Sequence, residues 1–164
     1  MQRLQFFIFA AFLLLAGFLS ACSGETAPEK VLVGTWVQET PYSITDRGLT
    51  TTTSDTVLSL KKNGETHLSR KLDIIGQDLP ETGINVSVEL RGRWELIDGN
   101  LRQSPETVLI MPRNGDAVTR QWADKLQAQA EQSEPSLKTI VAADKSQFIL
   151  QDLGTGTTDV YKRK

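Results

Sequence analysis

The chain has 164 residues with 18 basic and 20 acidic side chains, and its formal net charge is −2 at pH 7. Its sequence lacks the clustered basic face typical of nucleic-acid-binding proteins, so we expect no nucleic-acid partner. The single cysteine, Cys22, excludes an intramolecular disulfide, and the length suits one domain of ordinary size.

The first residues follow the pattern of a secretory signal. A short start that carries Arg3 precedes an apolar run over residues 6–19, which is shorter than the roughly 20 residues of a membrane-spanning helix. Small residues then lead directly into Cys22. The sequence therefore predicts a cleaved signal peptide over residues 1–21.

The segment Leu19-Ser20-Ala21-Cys22 resembles the lipobox of bacterial lipoproteins. The resemblance implies that the Cys22 thiol receives a diacylglyceryl group, that the peptide is cut before Cys22, and that the new amino group is acylated. Each buried methylene contributes about 0.8 kcal/mol, so two or three acyl chains would hold the protein on a membrane. Ser23, where an Asp would favour the inner membrane, implies an outer-membrane lipoprotein, which we expect to face the periplasm.

Residues 22–30 (CSGETAPEK) are mostly small, polar or charged and include Pro28, which predicts a lipidated tether. From Val31 onward, apolar and polar residues alternate between turn signals, which predicts antiparallel sheet in a single domain over 31–164. Eight or nine strands are expected, a number typical of a barrel or a sandwich. The Thr-rich segment Pro41–Ser54 is predicted to be a loop.

Two hairpins are predicted down to their register. In the first, a three-residue loop that ends at a left-handed Gly64 places Leu58 opposite Leu68 and keeps the leucines on one face. A two-residue loop would mix the faces, so the hydrophobic pattern favours the longer loop. The same alternation predicts a second hairpin, in which Leu96 lies opposite Leu101.

One segment departs from the period of two. Over residues 116–132, the apolar side chains of Val118, Trp122 and Leu126 recur every four residues, which predicts an amphipathic helix. We expect this helix to pack on the sheet through Trp122. A contact with a partner or a membrane is the alternative for its apolar stripe.

The two ends of the predicted domain carry a short pattern. Gly34-Thr35-Trp36 begins the first strand and Tyr161-Lys162-Arg163 ends the last, which resembles the lipocalin-like, or calycin, families. The resemblance implies an up-and-down antiparallel β-barrel of about eight strands, in which Trp36 packs inside one end and Arg163 covers it. Gly92–Leu101 is also similar to the central hairpin of small bacterial lipocalin-like domains. Up to three strands follow the helix here, whereas one follows it in the usual lipocalin.

Catalysis has little support in the sequence, and we expect neither an enzyme nor a cofactor. The only histidine, His67, falls on the face opposite the leucines, and no second imidazole is present to build a metal or nucleophile site. The Gly-rich segment Leu153–Thr157 lacks the lysine of a phosphate-binding loop and is predicted to be a hairpin loop.

Two classes of binding function remain. A barrel of eight strands is just wide enough to hold a small apolar ligand, or it is filled by its own side chains and meets an envelope protein through its surface. An inhibitor of secreted proteases is a specific form of the second class, since such periplasmic inhibitors use small barrels with a Gly-x-Trp start. The residues that would line a ligand cavity are Leu58, Leu60, Leu68, Val88, Leu90 and Trp94.

Replacing Cys22 tests the lipoprotein hypothesis. We expect Cys22→Ala to abolish acylation and to leave uncut precursor, because the thioether needs sulfur. Intact-mass measurement of wild-type and variant protein checks this. A wild-type mature protein without the mass of the acyl chains would contradict the hypothesis.

Overall fold

A computed structural model of the chain describes residues 29–164, so the predicted signal peptide and Cys22 lie outside the described residues. Glu29 and Lys30, which the sequence places in the tether, belong to the first helix. The elements in chain order are α1 (Glu29–Leu32), β1 (Gly34–Gln38), β2 (Tyr42–Asp46), β3 (Leu49–Leu60), β4 (Glu65–Gly76), β5 (Ile84–Ile97), β6 (Asn100–Pro112), α2 (Ala117–Ala130), β7 (Ser136–Ala143), β8 (Gln147–Asp152) and β9 (Thr158–Arg163).

The strands form a closed antiparallel barrel. Their order is β1-β9-β8-β7-β6-β5-β4-β3-β2, and β1 also pairs with β3, which closes the ring. β1 pairs with the second half of β3 (Trp36 opposite Leu58), while β2 pairs with its first half (Ile44 opposite Thr51). β1 and β2 therefore share one edge of β3, and the predicted barrel of about eight strands with one amphipathic helix is confirmed.

The two predicted hairpins have the expected registers. Leu58 pairs with Leu68 across β3 and β4, and the loop between them ends at Gly64, whose φ of 80° is left-handed. Leu96 pairs with Leu101 across β5 and β6. The alternation of apolar side chains and the turn glycine were sufficient to set both registers, because a slip of one residue would expose the apolar face.

The prediction of a loop over Pro41–Ser54 is wrong, because this segment contains β2 and the start of β3. The strands turn at Arg47 and Gly48, which both have positive φ (48° and 79°), as a tight hairpin turn requires. β-Branched threonines favour strands, and their hydroxyls pair across them, as in Ser43–Thr52 at 2.7 Å. The strand was missed because it lacks apolar alternation.

One end of the barrel is filled by a first core cluster around Trp36. The Trp36 ring is fully buried, meets Phe148 edge-on at 4.6 Å, and donates its Nε1–H to the Leu32 carbonyl at 2.7 Å. α1 thereby covers this end, because Leu32 is itself fully buried. The buried members of the first core cluster are Leu32, Trp36, Leu58, Leu60, Trp94, Leu101, Phe148, Leu150 and Tyr161.

Arg163 connects the last strand to the start of the barrel domain above the Trp36 ring. Its guanidinium lies 4.1 Å from the centre of the indole ring and donates to the carbonyls of Val31 and Val33 at 2.7 and 3.0 Å. A side chain at position 34 would place its Cβ 2.2 Å from Arg163 Nη1. Glycine is therefore required beside this guanidinium, which gives the Gly-x-Trp pattern of the sequence a steric cause.

The other end of the barrel is built differently, around α2. β7 pairs with β6 only between Asn100 and Gln103, which leaves the rest of β6 without that neighbour. α2 covers this part, and its Gln127 amide donates to the Val108 carbonyl at 2.7 Å and accepts from the Ile110 N–H at 2.9 Å. One helix side chain thus replaces a pair of ladder bonds.

A second core cluster lies beneath α2. Its buried residues come from β4, β5 and α2, and Trp122 and Leu126 of the helix pack against them as expected. Val118, the first residue of the predicted stripe, is instead 40% exposed. Asp116 caps the helix by accepting from the Thr119 N–H at 2.7 Å. The buried members of the second core cluster are Ile74, Ile84, Val86, Val88 and Ala123.

We expect Arg163→Ala to lower the free energy of unfolding by about 2 kcal/mol, because it removes a cation–π contact and charged hydrogen bonds to backbone carbonyls. Arg163→Lys should recover only part of this loss, since an ammonium lacks the planar fork. Urea unfolding followed by tryptophan fluorescence measures the change. Lys164→Ala is the matched control, and an equal loss there would contradict the role of Arg163.

Candidate binding cavity

Two adjoining cavities lie inside the barrel between the filled end and α2. Their volumes are about 310 and 290 Å³. They adjoin along a common set of lining residues, so they form one space with two chambers. The residues that line both chambers are Leu68, Arg70, Leu90, Pro105 and Ser133.

The larger chamber is the more polar of the two, although Ile44, Leu68, Leu90 and Pro105 also line it. β2 contributes Tyr42, β6 contributes Gln103, and β7 contributes Lys138, while the loop after β8 supplies hydroxyls. Ser133 and Glu134, at the end of α2, are exposed where they line it, so this chamber opens to solvent. The strands diverge here because β2 pairs with β3 alone and β7 leaves β6 after Gln103.

The smaller chamber is mainly apolar and lies beneath α2. Its walls come from β4, β5, β6 and the inner face of the helix. A bulge at Gly92 shifts the register of β6, so that Glu106 has no partner and the following residues face inward at even positions. The apolar lining residues specific to this chamber are Leu72, Val88, Val108, Ile110, Leu126 and Ala130.

Arg70 stands where the two chambers meet. It lies on the inward face of β4 between Leu68 and Leu72, and all three line the space. Its Nε is buried without a hydrogen-bond partner, and no carboxylate among residues 29–164 lies within salt-bridge distance of it. A buried polar atom without a partner is costly, and of the four such side-chain atoms found among residues 29–164, Arg70 Nε is the one whose residue lines the two chambers.

The neighbouring interior charges are already paired. Lys138 Nζ lies 2.8 Å from Asp159 Oδ2, and the two side chains are 19% and 5% exposed. Gln38 donates to the other carboxylate oxygen of Asp159 at 3.3 Å. The Lys138 charge is therefore balanced by a carboxylate of the chain itself, unlike that of Arg70.

Two titratable groups have shifted pKa values, Asp152 in the lining of the larger chamber and Tyr161 in the first core cluster. The backbone N–H groups of Thr155 and Gly154 bond the Asp152 carboxylate at 3.0 and 2.9 Å, and the Thr155 bond is the main cause of its lowered pKa. Burial, with the Asp159 carboxylate, raises the pKa of the Tyr161 hydroxyl far above its usual range. The Arg70 charge opposes that rise.

The comparisons with known proteins name no family. No family model matches the sequence, and no curated protein matches it either. The function is therefore inferred from the residues of the cavity and from the lipobox resemblance.

The structure divides the six expected lining residues into two groups. Leu68, Val88 and Leu90 line the chambers. The other three, Leu58, Leu60 and Trp94, pack in the first core cluster and are nearly fully buried. The residues were correctly assigned to the interior, but only three of them lie at the height of the cavity.

Sequence reasoning missed the polar member of the site. Val57 and Arg70 are the two residues that break the alternation of the first hairpin, and Arg70 puts a charged residue at an inward position of β4. The Gln127 contacts and the register shift at Gly92 depend on how neighbouring elements pair in three dimensions, which the alternation of apolar residues does not reveal. The break at Arg70 was therefore the one local signal for the site.

The outer surface offers less chemistry. His67 lies on the outer face, where its side chain is 40% exposed and its Nε2 is 4.0 Å from Glu89 Oε2. Within residues 29–164, no group of three or more His, Cys, Asp or Glu side chains is placed to hold a metal ion. No helix in this same part of the chain is long and apolar enough to span a bilayer.

We expect Arg70→Leu to raise the free energy of unfolding of the ligand-free protein by about 1–3 kcal/mol, because it removes an unpartnered buried donor. Lys138→Met should instead lower it by about 3 kcal/mol, since it strands the Asp159 carboxylate. Chemical denaturation measures both. Arg120→Leu on the exposed side of α2 is the matched control, and a destabilised Arg70→Leu protein would contradict the unpaired state of Arg70.

Proposed function

We propose that the protein is an outer-membrane lipoprotein, anchored through acylated Cys22 and facing the periplasm, whose barrel binds a small ligand without catalysis. The lipobox resemblance supports the anchor, and the observation that carries the binding function is the two-chambered cavity. A barrel that served only as a rigid surface would need no interior space.

The size of the cavity suits a small amphipathic molecule. Its chambers of about 310 and 290 Å³ lie near the lower end of the range of small-molecule sites, roughly 300–1,000 Å³. At about 30 Å³ for each heavy atom, the share of one water in the liquid, the apolar chamber has room for about ten atoms. The polar side chains of the cavity lie mainly around the larger chamber, whereas the lining of the smaller chamber is mostly apolar.

Binding of an envelope partner is the second candidate, and the edge of β2 favours it. β2 pairs with β3 on one side and has no strand on the other within the described residues. Exposed strand edges accept a further strand from another chain, which is one route by which an inhibitor or a scaffold engages a protein.

The ligand is sought by native mass spectrometry of the wild-type protein extracted from the envelope of its own host. We expect a small organic molecule to copurify with it. In Ser133→Trp, an indole at a residue that lines both chambers should block the cavity and abolish the added mass.

Gln132→Trp is the matched control, because this neighbouring residue lines neither chamber. It should retain the ligand, which separates cavity binding from lipid or detergent adsorbed on a new indole. A wild-type protein without any bound small molecule would contradict the proposal and favour the partner-binding alternative.

A further inference from the structure

We infer that the cavity selects an anionic amphiphile, with a carboxylate or phosphate head bound to Arg70 and one short apolar chain in the chamber beneath α2. This inference rests on the proposed binding function and names the class of its ligand. It follows from the unpaired state of Arg70 and from its position between two chambers of different polarity.

The sign of the ligand charge follows from the pairing of the interior groups. Lys138 is paired with Asp159, and Asp152 is bonded by the amides of its own loop, so each has a partner within the chain. Glu134 is exposed at the rim, where water solvates it. Arg70 alone among these groups holds a buried donor that no described residue satisfies, so the ligand must supply an acceptor.

A guanidinium gains most from an ionised acceptor. Arg presents parallel N–H donors that match the two oxygens of a carboxylate or phosphate, and such charge-assisted bonds are about twice as strong as neutral ones. In a partly buried site the interaction is strengthened further, because little water screens it. An anion is therefore favoured over an alcohol or an amide of the same size.

The orientation of the ligand follows from the two chambers. On one side of Arg70 are the polar side chains of Tyr42 and Gln103, and the chamber there opens to solvent. On the other side are Leu72, Val88 and Ile110 beneath the helix. A head at Arg70 therefore directs an attached chain into the apolar chamber, where each buried methylene contributes about 0.8 kcal/mol.

The test compares ligands that share a ten-carbon chain and differ in the head. Decanoate, decyl phosphate and decanol are titrated by calorimetry into the mature chain carrying Cys22→Ser, which retains every described residue and lacks the acyl chains. We expect at least one of the two anions to bind about ten- to a hundredfold more tightly than decanol, as a charged hydrogen bond predicts. The anion that binds with the higher affinity shows whether the head group is a carboxylate or a phosphate. Acetate, the head without the chain, should give no measurable heat.

Variants of Arg70 assign the selectivity to its guanidinium. Arg70→Gln should reduce the preference for the anion over decanol to about twofold or less, and Arg70→Lys should retain part of it. Arg120→Gln, which removes an exposed charge from α2, is the matched control and should leave the preference unchanged. Circular dichroism of each variant shows that the barrel is folded.

The outcomes separate this inference from the proposed function. If decanol binds as tightly as both anions, or if Arg70→Gln keeps the preference, the inference is wrong while binding of an apolar ligand stands. If none of the three ten-carbon ligands binds and no molecule copurifies with the wild-type protein, both are wrong.

Discussion

The structure depends on how one short strand closes the barrel. β1 has five residues, and it pairs with β3 on one side and with β9 on the other, so the ring is complete only at the level of Trp36. Arg163 secures this closure because it binds the indole face and the carbonyls of the preceding turn together. Beyond Gln38 the chain leaves β9 and continues along β3 as β2. The barrel is therefore tight at one end and open at the other.

The cavity is a consequence of this asymmetry. Where β6 loses its pairing with β7, unpaired backbone groups would face an apolar interior, which is costly. α2 resolves this with the Gln127 amide, which bonds the backbone of Val108 and Ile110 while the helix keeps its apolar stripe inward. A helix, however, is thicker than a strand and stands farther from the opposite wall. The space left beneath it becomes the apolar chamber.

Local patterns predicted the fold better than they predicted the site. The pairing of Leu58 with Leu68 follows from the alternation of apolar residues and from a turn glycine. Both signals lie within one hairpin. Alternation predicts which face of the sheet a side chain occupies. It does not predict the level along the barrel axis at which that side chain lies. Leu60 and Leu68 both face inward and both contact the first core cluster, yet only Leu68 also lines the cavity. The Thr-rich segment was not recognised as strand because hydrogen bonds between hydroxyl groups and between backbone groups, rather than apolar contacts, hold it in the sheet.

Arg70 interrupts the row of apolar side chains on the inward face of β4. Leu68 and Leu72 flank it two residues away on the inward face of β4, so a leucine would fit the pattern of the strand at this position. A leucine here would make the ligand-free barrel more stable, because the burial of an unpaired donor opposes folding. The paired ions nearby show that this interior can satisfy a charge where it holds one, as Lys138 and Asp159 do. The buried Arg70 Nε, at the junction of two chambers that differ in polarity, is therefore the observation on which the proposed anionic ligand rests.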